Sequence, residues 1–146
     1  MLAEEAEAKV AEIGRDGIEW HLIGHLQSNK VRKAVKLFDV IHTLDSVELA
    51  ERIERICLEE EIETISVLIQ VDLGRESTKN GIKEEDLPKL LEFVKNCKCL
   101  KVIGLMQIPP YFEEVEKVPR TNRGKFRAVI CNLNKETINK LPANSK

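Results

Sequence analysis

The stretch Ile65-Ser66-Val67-Leu68-Ile69-Gln70-Val71 constrains this chain more than any other. It is short, mostly β-branched and apolar, and shows little alternation between apolar and polar positions. A strand with one wet face would alternate, so a continuous run of this kind suits a strand buried on both faces, as in a parallel sheet. Three further β-rich runs, Ile18–Ile23, Val40–Leu44 and Val102–Met106, predict companion strands. Helical periodicity fills the gaps between them. Asp45 followed by Glu48 reads as a capping box ahead of Leu49, Ala50, Ile53, Ile56 and Cys57 on one helix face. Leu87, Leu90, Leu91 and Val94 form a second apolar stripe, with Pro88 tolerated in the first turn. Ala3–Ile13 and a shorter segment at Asn29–Val35 complete the helix candidates.

One helix followed by repeated strand–helix units is the signature of parallel βαβ architecture. Periodicity leaves two forms open, part of a (β/α)8 barrel or an open doubly wound sheet. A complete barrel needs roughly 200 residues or more, so the expectation at 146 residues is an α/β fold with about four parallel strands, half of such a barrel. From Lys117 to Cys131 the apolar period is lost and Pro119, Asn122 and Gly124 interrupt it. The domain expectation is therefore a partial barrel over 1–118 and a divergent tail over 119–146, loosely ordered or partly helical.

The interspersed charges, 33% of residues with a net charge of −2, give no positive field to draw nucleic acid or an acidic membrane. No apolar run is long enough to span a bilayer. The acidic start Met1-Leu2-Ala3-Glu4-Glu5-Ala6 lacks the features of a signal peptide, so the expected compartment is the cytoplasm. Cys57, Cys97, Cys99 and Cys131 lack the spacing of a zinc site and read as reduced thiols; no metal is expected.

In parallel α/β folds chemistry gathers at the carboxyl ends of the strands. After the first run come Gly24, Gln27, Ser28 and Asn29, which could bind a ligand or merely cap a helix. His21, inside the apolar run, reads as a core histidine. His42, at the end of the second run, could line a pocket, while Asp45 and Ser46 are accounted for by capping. The polar, glycine-bearing stretch Asp72–Gly81 could fold over a ligand or be an ordinary surface loop. Met106 stands either at a pocket rim or in the core. Glycine-rich phosphate loops, HExxH and the nucleophile elbow do not occur.

Specific wording carries the reading further. Trp20-His21-Leu22-Ile23-Gly24-His25-Leu26-Gln27-Ser28-Asn29-Lys30 resembles the most recognisable phrase of the YggS-type pyridoxal phosphate homeostasis proteins. The likeness continues in order through Ile41–Ser46, Val67–Val71, Glu76–Ile82 and Gly104–Pro110, with His25 and Asn80 as minor departures. The resemblance implies the barrel of alanine racemase N-terminal domains and a small-molecule cofactor, pyridoxal 5′-phosphate, buffered or delivered without established turnover. It also implies that the four strands are the family's strands three to six. The cofactor lysine strand would then precede Met1 and the phosphate-gripping strands would follow Lys146. On this reading Gln27, Asn29, His42 and Met106 form one wall of the cofactor pocket, no residue is catalytic, and cofactor binding is weakened. The alternative expectation is a non-catalytic half-barrel that self-associates through exposed sheet edges. An active racemase or decarboxylase is disfavoured, because the lysine is absent and Tyr111 is the only tyrosine.

Overall fold

The computed structural model describes residues 3–72, 80–107 and the pair 131–132. Helix α1 (Ala3–Ile13) leads to a short strand β1 (His21–Leu22). A single 3-10 turn at Ser28–Lys30 runs into α2 (Val31–Leu37), followed by β2 (Val40–Leu44), α3 (Val47–Glu59) and β3 (Ile65–Asp72). Then come β4 (Ile82–Lys83), α4 (Leu87–Lys95), β5 (Leu100–Met106) and β6 (Cys131–Asn132).

The sheet order is β1-β2-β3-β5-β6, with β4 set against β3. The four strands expected from sequence are present, adjacent and parallel. Their spatial order follows their chain order without the reversal that defines an open doubly wound sheet. Helices α1 to α4 likewise pack as consecutive neighbours. The sheet is thus a partial α/β barrel, which resolves the two forms that periodicity leaves open. Among the described residues Cys131–Asn132 is the one antiparallel addition, pairing with Leu105 and Gly104 of β5. The expected tail, 119–146, otherwise lies outside the described residues.

The helix-facing layer holds the main core. Ile65, Val67, Ile69 and Val71 of β3 pack with Leu49, Ala50, Ile53 and Ile56 of α3 and with Leu90, Leu91 and Val94 of α4. These are the positions of the predicted stripes, because a period-two strand face and a period-3.6 helix face must meet to leave water together. The opposite sheet face carries a smaller cluster, Val40, Leu68 and Met106 with Ile103 beside them. Register irregularities in β2 and β5 shift which residues face each way, so Leu44 and Leu105 join the helix side.

Two local expectations shift. The helix α3 cap is Ser46 and not Asp45: Ser46 is extended and its hydroxyl accepts from the Leu49 N–H at 3.2 Å. The Asp45–Glu48 spacing therefore does not make a capping box, although Glu48 still sits favourably in the first turn. Strand β1 is two residues long instead of six. Its register is pinned by Asp39, whose carboxylate accepts from the Trp20 N–H at 2.7 Å and from Arg15 at 2.8 Å, while the Trp20 carbonyl accepts from Asp39 and Val40.

At the amino end of the sheet, Glu54 of α3 accepts from three successive backbone N–H groups, Lys98 at 2.6 Å, Cys99 at 3.0 Å and Leu100 at 3.3 Å. This clamp sets the start of β5 against α3. Cys57, Cys97 and Cys99 are free thiols beside it. Burial, reinforced by the neighbouring thiol and carboxylate charges, pushes Cys57 up to about 12 and Cys97 up to about 11. Protonated thiols of this kind are poor nucleophiles and poor metal ligands.

Candidate functional site

Strands β1, β2, β3 and β5 are parallel neighbours, so their carboxyl ends point the same way. Leu22 of β1 enters the helix-side core, so His21, one residue earlier, faces the other way. The expectation of a core histidine is therefore wrong: His21 is exposed on the inner face. Its Nδ1 lies 2.7 Å from Nε2 of His42, its Nε2 lies 2.6 Å from Oε1 of Glu19, and the two rings are tilted at 53° with centroids 5.0 Å apart.

His42 shares its strand face with Val40 and is half-buried. Burial, and secondarily the charge His21 can carry, hold His42 below the usual histidine range. It is a neutral imidazole at pH 7, able to offer one donor and one acceptor. Asp45, just beyond β2, is half-buried as well. Burial pushes its carboxyl up, opposed by His25 from the β1 connection and by hydrogen bonding to Ser46 and its own backbone. The chain contains three histidines, His21 in β1, His25 just beyond it and His42 in the middle of β2.

Met106 is 8% exposed and packs with Val40 and Leu68, giving the inner face an apolar floor. Gln70 occupies the rung opposite Met106 and is 4% exposed. Its Nε2 donates to the Asn80 carbonyl at 2.9 Å, which ties the far end of the β3–β4 connection to the sheet. Gly81 follows at φ +145°, and a Cβ there would come within 2.8 Å of the Asp72 backbone nitrogen. Only glycine permits that close approach. The candidate lid itself, Leu73–Lys79, is outside the described residues.

Gln27 and Asn29 sit on the β1–α2 connection at the same end. Gln27 is extended and exposed, its side chain makes no cap bond, and its carbonyl accepts from the Lys30 N–H at 2.9 Å. Asn29 is exposed within the 3-10 turn. Gly24, at φ +117°, has open space where a Cβ would stand. Of the four expected residues, His42 lies within β2, Met106 ends β5, and Gln27 and Asn29 lie on the β1–α2 connection. Glu19, Gln70 and Asp45 are additions. A polar amide within an otherwise apolar β-branched run is the sequence signal that could have marked Gln70. Among the described residues no group of three side chains could hold a metal ion, and no helix is long and apolar enough to cross a membrane.

The sequence matches the family model described as alanine racemase, N-terminal domain, over residues 2–146. It is 40% identical over 119 residues to the pyridoxal phosphate homeostasis protein of Aquifex aeolicus, covering 82% of this chain and 51% of that protein. The protein of the same name from Pseudomonas aeruginosa is 37% identical over 110 residues, covering 73% and 46%. Among solved structures, PipY of Synechococcus elongatus with PLP bound aligns with a TM-score of 0.67 and 40% identity, covering 75% of this chain and 50% of that one. Alanine racemase of Corynebacterium glutamicum, at 16% identity and a TM-score of 0.50, covering 73% and 28%, shares the fold. The chain spans about half the length of the curated relatives it matches.

Proposed function

The chain belongs to the alanine racemase N-terminal domain family, and we propose that it supplies one wall of a pyridoxal 5′-phosphate site and serves cofactor homeostasis by binding, without turnover of its own. The observation that carries this reading is the inner face of the sheet. There an apolar floor of Val40, Leu68 and Met106 adjoins the neutral imidazole of His42 and the buried amide of Gln70. An aromatic ring with polar substituents needs that combination, a flat apolar contact bordered by a few placed hydrogen-bonding groups. Gln27 and Asn29, exposed on the adjoining connection, are the residues proposed to bond its polar substituents. The relatives' names and the PLP held by PipY support the choice of ligand.

When bound, the cofactor brings an electrophilic aldehyde. Among the described residues no lysine is buried, so none has the desolvated setting that makes an amine nucleophilic at neutral pH. For the described part of the chain this favours non-covalent, weak binding. Equilibrium dialysis of the 146-residue chain against pyridoxal 5′-phosphate should show saturable one-to-one binding, reduced about tenfold or more in Met106→Asp. Loss of saturation in the unaltered chain would overturn the site. Borohydride treatment of the mixture should leave the lysines unlabelled, and stoichiometric label on a single lysine would overturn the non-covalent assignment. Absence of amino-acid racemisation in the same samples is the expected companion result.

A second reading has its own observation. Ile18 and Ile23, exposed at 40% and 57%, flank β1 at the sheet edge. A strand at the sheet edge beside exposed apolar side chains favours self-association. Sedimentation that stays monomeric across a hundredfold concentration range would remove this reading.

A further inference from the structure

Glu19, His21 and His42 are linked nitrogen to oxygen and nitrogen to nitrogen at 2.6 and 2.7 Å. A carboxylate can only accept, so the hydrogen between Glu19 and His21 belongs to His21 Nε2. In a neutral His21 the other nitrogen, Nδ1, is then an acceptor. The hydrogen between the rings must consequently sit on His42 Nε2, which leaves His42 Nδ1 with a bare lone pair. An added proton reverses the second link. It settles on the ring beside the carboxylate, His21 Nδ1–H donates to His42 Nε2, and the His42 hydrogen moves to Nδ1. Two forms of one chain thus present opposite hydrogen-bonding faces at the same atom.

We propose that Glu19, His21 and His42 act as a single proton relay from solvent to the inner face of the sheet, and that its protonation decides whether His42 Nδ1 accepts from or donates to a bound small molecule. Glu19 is the solvent end, with its side chain 66% exposed, and His42 is the half-buried end beside the apolar floor. At neutral pH the relay suits a ligand presenting a hydroxyl, ammonium or ring N–H; in acid it suits an acceptor such as a phenolate or carboxylate oxygen. The ionisable groups around it are few. Asp39, at the start of β2, is engaged by Arg15 and the Trp20 N–H, and Asp45 faces His25. From β3 the same face carries Ser66, Leu68, Gln70 and, at its carboxyl end, Asp72, and from β5 it carries Lys101 in alternation with Ile103. His21 is the charge that acts on His42, and its influence lowers the second ring's affinity for a proton. The inference concerns these three residues and holds whether or not pyridoxal phosphate is the ligand.

Nitrogen-15 NMR of the histidine-labelled full chain distinguishes the tautomers directly and requires no variant. At pH 8 His42 should be the Nε2–H tautomer and His21 likewise. On acidification His42 should switch to the Nδ1–H tautomer. Glu19→Ala should abolish the tautomer preference of both rings. His21→Phe should raise the His42 midpoint, since the neighbouring charge is gone. His25, which lies outside the relay, should be unmoved in both variants and reports that the fold is intact. A wild-type His42 found as Nδ1–H, or a His42 titration identical in wild type and His21→Phe, would overturn the relay.

Discussion

The two faces of this sheet are built from neighbouring residues yet do different things. On β3, Ile69 points into the helix-side core and is fully buried, while Leu68 belongs to the small inner cluster with Val40 and Met106. The outer face is closed by helices α1 to α4, and the Glu54 clamp gives three of its backbone N–H groups a fixed partner. The inner face mixes a narrow apolar floor with groups whose titration is displaced by partial burial, His42 downward and Asp45 upward. A face that must hold the fold is made of contacts with one solution. One that must meet a ligand keeps donors and acceptors with capacity left over.

The largest expected effect tests that division on adjacent residues. Ile69→Ala should cost about 3–5 kcal/mol, because the cavity is walled on all sides and cannot collapse. Leu68→Ala should cost about 2 kcal/mol, because the inner cluster is small and can relax around the gap. Urea midpoints of the two variants decide the matter. Equal losses would mean that the inner face is as much a core as the outer one.

Next in size is the Glu54 clamp. Glu54→Ala leaves the N–H groups of Cys99 and Leu100 half-buried and without their acceptor, and should cost about 2–3 kcal/mol. Glu54→Gln, which retains an acceptor, should recover part of the loss. Chemical denaturation checks both, and an unchanged midpoint in Glu54→Ala would show the clamp to be dispensable.

These contrasts also show what was legible in the sequence. The outer face was, because period-two and period-3.6 apolar stripes are local patterns: Ala3–Ile13 and the buried positions of α3 and α4 follow from them directly. The ordered phrases likewise led to the family. The Glu54 contacts were not legible, since they join residues more than 40 positions apart. His21 reads as a core residue only within a six-residue strand; Asp39 and Trp20 fix a two-residue one, and the side a residue takes depends on strand register. The α3 cap moved by one residue for a similar reason: Asp45 and Ser46 are both good caps by type, and only geometry selects between them.

A smaller effect, of opposite sign, is expected at Thr43. Its hydroxyl is buried next to His42 and has no hydrogen-bond partner among the described residues. Thr43→Val keeps the shape and removes the unsatisfied group, so it should stabilise the fold by about 1 kcal/mol. A thermal shift downward would mean that the hydroxyl has a partner in solution.

The smallest effects lie in the pH dependence, where His42 and Asp45 pull in opposite directions. The folded His42 binds its proton below the ordinary value of 6.5, so the unfolded chain takes up the proton first as pH falls. Stability from this group is therefore full above about 6.5 and is lost as pH drops from there towards the folded value, below which the loss is constant. The folded Asp45 binds its proton above the ordinary value of 3.8, so in the carboxylate range the native state is protonated first. As pH falls through the folded Asp45 value towards 3.8, the native state is favoured, which offsets part of the histidine loss. Urea midpoints between pH 4 and 8 should accordingly decline below 6.5 in the unaltered chain and decline less in His42→Gln. Asp45→Asn should gain stability at neutral pH, where burial of the carboxylate is costly, and the gain should shrink in acid. If His42→Gln keeps the full decline, the inner face does not set the acid sensitivity, and the contrast between the two faces would rest on packing alone.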